Sequence, residues 1–221
     1  MSTFLPERAS AAKLPGVTTP ASPPQPPPPI IPPPPTAGLR LNLGCGQNLR
    51  QGFVNVDKFG SPDVQHDLEQ FPWPWRDSCV SEVALNHVLE HLGHTPDVFL
   101  KIVKELHRVC MNGAVIRIAV PHPRSDDFLN DPTHVRVVTP TLWTAFSKRM
   151  NRYWGQIGAA NSPLGLYLDV DFELGPVSLD LSPKWAALAR EQKLTAAQLG
   201  DAAAQFNNVV QQIRMEVIVL K

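Results

Sequence analysis

No run of about 18 apolar residues occurs anywhere in the chain, so nothing in the sequence has the length of a membrane-crossing helix. Nor does an apolar core of signal-peptide length follow a basic start, and the expectation is a protein of the cytoplasm. Net charge is missing as well. Twenty Lys and Arg balance twenty Asp and Glu, which steers the chain towards neither nucleic acid nor an anionic membrane. Cysteine is scarce: Cys45, Cys79 and Cys110 are far apart, have no metal-ligand spacing and cannot all pair, which suits a reducing compartment. Two nucleotide signatures are absent. The fingerprint G-x-G-x-x-G needs a third glycine where Leu49 stands, which disfavours a nicotinamide-dependent oxidoreductase, and G-x-x-x-x-G-K-[ST] does not occur.

Proline, by contrast, is abundant and unevenly placed. Thirteen of the 24 prolines precede Thr36, in a segment ending PPQPPPPIIPPPP, where missing amide donors and fixed φ angles exclude helix and sheet. Residues 1–37 are expected to form a disordered or polyproline II tail, either a spacer or a docking ligand for a proline-binding module. Residues 38–221 are long enough for one sizeable core. Short apolar runs predict strands at Leu39 to Leu43, Phe53 to Val56, Val64 to Asp67 and Val80 to Leu85. From Thr95 to Cys110 apolar positions recur at three and four residue steps, which predicts an amphipathic helix stopped by Met111-Asn112-Gly113. Ala114 to Val120 follows as a β-branched strand. Tyr167 to Leu181 contains an alternating strand pattern and RMEVIVL, Arg214 to Leu220, a closing strand. Between them Ser182-Pro183 and Thr195 with Gln198 carry helix-start signals, so a helical insertion is expected around residues 182–210. The alternation predicts an open α/β sheet with helices on both faces, with ligands bound beyond the carboxyl ends of its strands.

The residues just after the strands are therefore the ones to inspect. In LNLGCGQNLRQGFVNVD, Leu41 to Asp57, Gly44 and Gly46 let the chain turn sharply and let a ligand approach the backbone. Asp57, ending the second strand, is placed to accept hydrogen bonds from two neighbouring ribose hydroxyls. Together they describe a nucleoside-shaped site. Only Gln47 to Gly52 separate the glycine loop from the second strand, whereas a parallel crossover usually takes a dozen residues or more. The first helix is expected to shrink to a turn or be displaced, leaving the pocket more open on that side.

Residues 39 to 145 carry the motifs NLGCG (Asn42 to Gly46), GFVNVD (Gly52 to Asp57), HVLEHL (His87 to Leu92) and DPTHVR (Asp131 to Arg136). In this order they resemble the class I S-adenosylmethionine-dependent methyltransferases, most closely the compact bacterial and phage group of methyltransferase type 11 character. The resemblance implies a Rossmann-like, mostly parallel seven-stranded sheet with an antiparallel last strand. It implies S-adenosylmethionine as cofactor, with Asn42, Gly44, Cys45 and Gly46 against its methionine part and Asp57 on the ribose. Asp67 and Leu68 would lie at the adenine edge, and Asn86 and His87 would face the methionine end. The acidic residue common two positions before the first glycine is Asn42 here.

Methyl transfer needs an in-line acceptor and, for a hydroxyl or ammonium, removal of a proton. His134 is the candidate base or substrate contact and Arg136 the candidate carboxylate or phosphate clamp. His87, Glu90 and His91, at i, i+3 and i+4, would share one face if HVLEHL opens a helix. With His134 these residues also resemble a divalent-metal motif, E-x-x-E-H plus a later histidine, found in some methyltransferases of this fold. Their bland role is to satisfy backbone groups or face solvent. Trp73 and Trp75 in FPWPW either stack on adenine or cover a sheet edge. The activity implied is methyl transfer to a small-molecule, saccharide or peptide acceptor. The alternative is a non-catalytic S-adenosylmethionine-binding partner protein.

Overall fold

The computed structural model describes residues 23–221. Of the expected proline-rich tail, residues 1–22 lie outside the described residues, and residues 23–35 contain neither helix nor strand. This segment runs against the domain. The Pro27 carbonyl accepts a hydrogen bond from Arg149 Nη1 at 2.7 Å, and the Pro33 carbonyl sits 2.5 Å from where a Cβ on Gly113 would stand.

Seven strands form one sheet: β1 (Leu39–Leu43), β2 (Val54–Asp57), β3 (Val64–Gln65), β4 (Val80–Asn86), β5 (Cys110–Pro121), β6 (Phe172–Leu181) and β7 (Val210–Val219). Their spatial order is β3-β2-β1-β4-β5-β7-β6. Pairs from β3 through β5 are parallel, and β7 is antiparallel to both of its neighbours. This is the Rossmann-like sheet expected from the sequence, with helices around it. Helix α1 (Pro96–Val109) joins β4 to β5; α2 (Asp126–Leu129), α3 (Pro140–Thr144), α4 (Lys148–Ile157) and α5 (Leu164–Leu168) lie between β5 and β6; α6 (Pro183–Arg190) and α7 (Ala196–Gln205) lie between β6 and β7. No helix among the described residues is long and apolar enough to cross a membrane.

Local chemistry explains most of the boundaries. Ser125, Thr139 and Ser147 cap α2, α3 and α4 by accepting backbone amides, and Thr195 with Gln198 forms a full capping box on α7. Ser182 precedes Pro183 but does not cap α6, because its hydroxyl donates instead to the Asn208 carbonyl at 2.7 Å. Met111-Asn112-Gly113 is not a loop: β5 begins at Cys110, directly after α1. The extra residues are absorbed as an irregularity between the Val80↔Cys110 and Glu82↔Val115 pairs, with Gly113 at φ +80°.

Register separates the two faces of the sheet. Leu41 pairs with Val83, Val83 with Ile116 and Ile116 with Val217, while Leu43, Leu85, Ile118 and Met215 form a second such row. Both rows join one buried cluster with Phe99, Ile102, Val103 and Leu106 of α1 and with Trp143, Phe146 and Phe172. The residues between them tell a different story. Arg40, Glu82, Arg117 and Glu216 succeed one another across four strands of the opposite face, linked as ion pairs. Parallel strands are normally buried on both faces. Here the crossovers at residues 44–53, 58–63 and 66–79 contain no helix, and a charged ladder takes the place of an apolar face.

The crossover at 66–79 shows what the FPWPW stretch does. Trp73 is 2% exposed and its indole nitrogen donates to the Leu68 carbonyl at 3.1 Å, so it covers the sheet rather than offering a stacking surface. Arg108 of α1 holds the loop by donating to the Trp73 and Trp75 carbonyls and to Asp77. Glu105 accepts the Trp73 amide at 2.6 Å and pairs with Arg108. Burial alone would raise the Glu105 carboxyl, but these donors outweigh it and hold it below its ordinary value.

Two outcomes follow from these contacts. A folded carboxyl held below its unfolded value, about 4.3, stabilises the protein above that pH and loses its effect as the pH falls through the folded value. Glu105→Gln should therefore be less stable than the parent at pH 7, with the gap closing towards pH 3 in urea titrations; a gap that stays constant would show that the charge of Glu105 is not what matters. Gly44 sits at φ +63°, and a Cβ there would stand 2.5 Å from Val88 Cγ2. Gly44→Ala should cost about 1–3 kcal/mol by urea midpoint, and adding Val88→Ala should recover only the part due to the clash.

Candidate functional site

A cleft of ≈ 180 Å³ opens at the carboxyl ends of β1, β2 and β4, lined by Gly44, Asp57, Lys58, His66, Asp67, Leu68, His87, Val88, His91 and Leu92. At its floor the chain turns at Gly44 with positive φ, and Val88 occupies the space that a Cβ there would take. Asp57 is fixed at its rim. One carboxylate oxygen accepts the Gly46 amide at 2.8 Å and the other the Phe59 amide at 2.9 Å. Each oxygen keeps a lone pair for a further donor, the arrangement needed to receive two neighbouring hydroxyls.

Of the nine residues expected around a cofactor, Gly44, Asp57, Asp67, Leu68 and His87 line this cleft. Gly46 borders it through its amide. Asn42 is elsewhere: it is buried, and its amide donates to the Asn48 carbonyl and to Asn55 Oδ1, both at 2.9 Å. Cys45 is buried too, and burial together with the nearby Asp57 charge raises its thiol above the usual range, which keeps it protonated. Asn86 faces the charged side of the sheet. There it lines a larger groove of ≈ 420 Å³ with Arg50, Arg117, Arg214 and Glu216. That groove shares no residue with the strand-end cleft, and its arginines at 117 and 214 are already paired with carboxylates. The smaller cleft is the one that matches the chemistry of Gly44 and Asp57.

HVLEHL does not open a helix. His87 takes φ +56°, and only Leu89–His91 forms one 3₁₀ turn before Gly93 redirects the chain. The turn still brings His87 and Glu90 together, with Nδ1 3.2 Å from Oε1. Glu90 holds the His87 ring above the ordinary histidine range against the opposing effect of burial. On its other side His87 Nε2 meets Gln212 Oε1 at 2.5 Å, and Gln212 donates to Asp180.

His91 and His134 lie ring to ring, centroids 4.6 Å apart, although only His91 reaches the cleft. Arg136 does not enter it. Its guanidinium donates to the Gly93 carbonyl at 2.7 Å and lies 4.1 Å over the Phe99 ring, so it locks the turn after His91 and is committed where a substrate clamp was expected. The sequence did not single out Lys58, His66, Val88 or Leu92, which all line the cleft. His66 directly follows β3, so a strict reading of strand ends would have included it.

No protein-family model and no curated protein sequence matches the chain. Solved structures do. A SAM dependent methyltransferase from Archaeoglobus fulgidus is 16% identical, with 83% of this chain and 86% of that one covered at a TM-score of 0.51. The YcgJ protein from Bacillus subtilis matches at 14% identity over 84% and 93% of the two chains, TM-score 0.46. The 1,6-didemethyltoxoflavin-N1-methyltransferase from Burkholderia thailandensis, solved with 1,6-didemethyltoxoflavin and S-adenosylhomocysteine, matches at 11% identity over 84% and 72%, also at 0.46. The strand order, the antiparallel β7 and the likeness to the archaeal structure give this chain the class I S-adenosylmethionine-dependent methyltransferase fold.

Proposed function

We propose that the protein binds S-adenosylmethionine in the cleft at Gly44 and Asp57 and transfers its methyl group to a small-molecule, saccharide or peptide acceptor. The observation that carries this is the Asp57 carboxylate, held by the Gly46 and Phe59 amides in a cleft that Gly44 also lines. When bound, the cofactor supplies an electrophilic methyl on a sulfonium. Asp57 accepts the ribose hydroxyls, Asp67 and Leu68 border the adenine, and the bare backbone at Gly44 admits the methionine part. Proximity and orientation supply much of the rate in such a reaction, and the acceptor's proton falls to His91 on the cleft wall, with His134 ring to ring behind it. Cytoplasmic residence belongs to the same proposal, supported by three cysteines that form no disulfide. So does a proline-rich tail offered to a binding module, supported by the run of prolines at 23–35 that contains neither helix nor strand.

A second proposal, a cofactor-binding partner without catalysis, is favoured by one observation: Asn42 and Arg136 are both spent on structural contacts. Calorimetric titration separates the two. The intact chain should bind S-adenosylmethionine and S-adenosylhomocysteine saturably, and Asp57→Ala should weaken both at least tenfold. Saturable binding with no methyl transfer across a broad acceptor panel would select the partner protein, and absence of binding by the intact chain would overturn both.

A further inference from the structure

Glu90 and His91, in the turn after β4, converge with His134. One ligand atom from each lies within 4.8 Å of the others. Glu90 is 0% exposed; His87 Nδ1 approaches Oε1 at 3.2 Å, and Oε2 receives no hydrogen bond. A carboxylate taken out of water without donors is strongly disfavoured unless a cation compensates it. His87 sits beside only one of the two oxygens.

The two imidazoles are oriented by their other nitrogens. The Thr133 hydroxyl donates to Asp131 Oδ1 at 2.6 Å, so its oxygen is left to accept from His91 Nδ1 at 2.9 Å. His134 Nδ1 donates to the Phe128 carbonyl at 2.8 Å. Each ring thus carries its proton on Nδ1 and presents a bare Nε2. Fixing the ligating tautomer through the distal nitrogen is how proteins prepare histidines for a metal. Asp131 Oδ2 stands 3.7 Å from His134 Nε2, at the exposed side of the group.

We propose that Glu90, His91 and His134 bind a divalent ion of the zinc class through two imidazole nitrogens and one carboxylate oxygen. Two nitrogen donors select borderline ions such as Zn²⁺, Co²⁺ and Ni²⁺ over Mg²⁺ and Ca²⁺, which want oxygen. Three protein ligands leave coordination positions open for water or a substrate oxygen. Because His91 also lines the cleft, the ion would stand at the acceptor's wall, where it would hold a hydroxyl or carboxylate oxygen and ease loss of its proton. That last role rests on the methyltransferase proposal; the ion site itself does not.

The test is titration of the full chain with Co²⁺, without cofactor, followed by the visible d–d absorption of the bound ion. One Co²⁺ per chain should bind, be displaced by Zn²⁺ and be untouched by excess Mg²⁺. His91→Ala, His134→Ala and Glu90→Gln should each weaken it tenfold or more, and the exposed neighbour His94→Ala should leave it unchanged. Circular dichroism checks each variant's fold, and the two histidine variants carry the test if Glu90→Gln does not fold. No Co²⁺ binding, binding that survives in the His91→Ala/His134→Ala double variant, or displacement by Mg²⁺ would overturn the site. Since S-adenosylmethionine is absent from this measurement, a failed cofactor titration and a failed metal titration are separate results.

Discussion

The amide pair between Asn42 and Asn55 is the constraint on which the rest of this structure depends. Residues 44–53 must carry the chain from the end of β1 back to the start of a parallel β2, and they are too few for a packed helix. Something else has to hold them over the sheet. Asn42 donates to the Asn48 carbonyl and to Asn55 Oδ1; Asn55 in turn accepts the Arg50 amide at 2.7 Å and donates to Asp63 Oδ2 at 2.8 Å. Each such bond contributes about 1 kcal/mol net, but a buried amide left without partners would cost more, so the network makes the loop's path nearly obligatory. Two side chains at registered positions of β1 and β2 thereby replace a helix.

Loss of that helix propagates across the sheet. The two following crossovers also lack one, so the face carrying Arg40, Glu82, Arg117 and Glu216 has no apolar layer to meet. Cross-strand pairs of alternating sign make such a face compatible with water. The apolar residues are concentrated on the other side, beneath α1 and the aromatic group of Trp143, Phe146 and Phe172. The strand ends are consequently approached from a thinner body than a sheet covered on both faces would present, and the strand-end cleft is small, ≈ 180 Å³. It is the turn after β4 that gives it a second wall: positive φ at His87, one 3₁₀ turn and Gly93 packed against Phe99 place Val88 against Gly44 and bring His91 to the cleft.

Much of this was legible in the sequence. Apolar runs ending in polar residues located β1, β2 and β4 to within a residue, and the three and four residue steps located α1. The ordered motifs implied the sheet and its antiparallel last strand. The errors have physical causes. Met111-Asn112-Gly113 reads as a helix stop, but β pairing of Cys110 with Val80 takes over at once and the surplus goes into an irregularity. HVLEHL has helical spacing, yet His87's left-handed backbone spends the first turn. Asn86 follows a strand, but strand alternation turns it to the charged face. Arg136 looks free in the sequence, and only the fold reveals that Gly93 and Phe99 claim it. The partners of Glu90 were equally invisible, because burial of a carboxylate is a property of packing and leaves no mark on spacing.

The asparagine at position 42 now has a cause. Asn55 Oδ1 is fixed as an acceptor by the Arg50 amide, and the Asn48 carbonyl is an acceptor by nature, so the side chain at 42 must supply two donors. An aspartate there would have none to give and would set its charge against two oxygens in a buried site. The short crossover and the asparagine are therefore one feature, not two: a chain that closes this loop with an amide pair cannot also place a carboxylate at position 42. The charge along the cleft accordingly comes from groups off β1: Asp57 at the end of β2, Lys58 beside it, and Asp67 in the turn after β3.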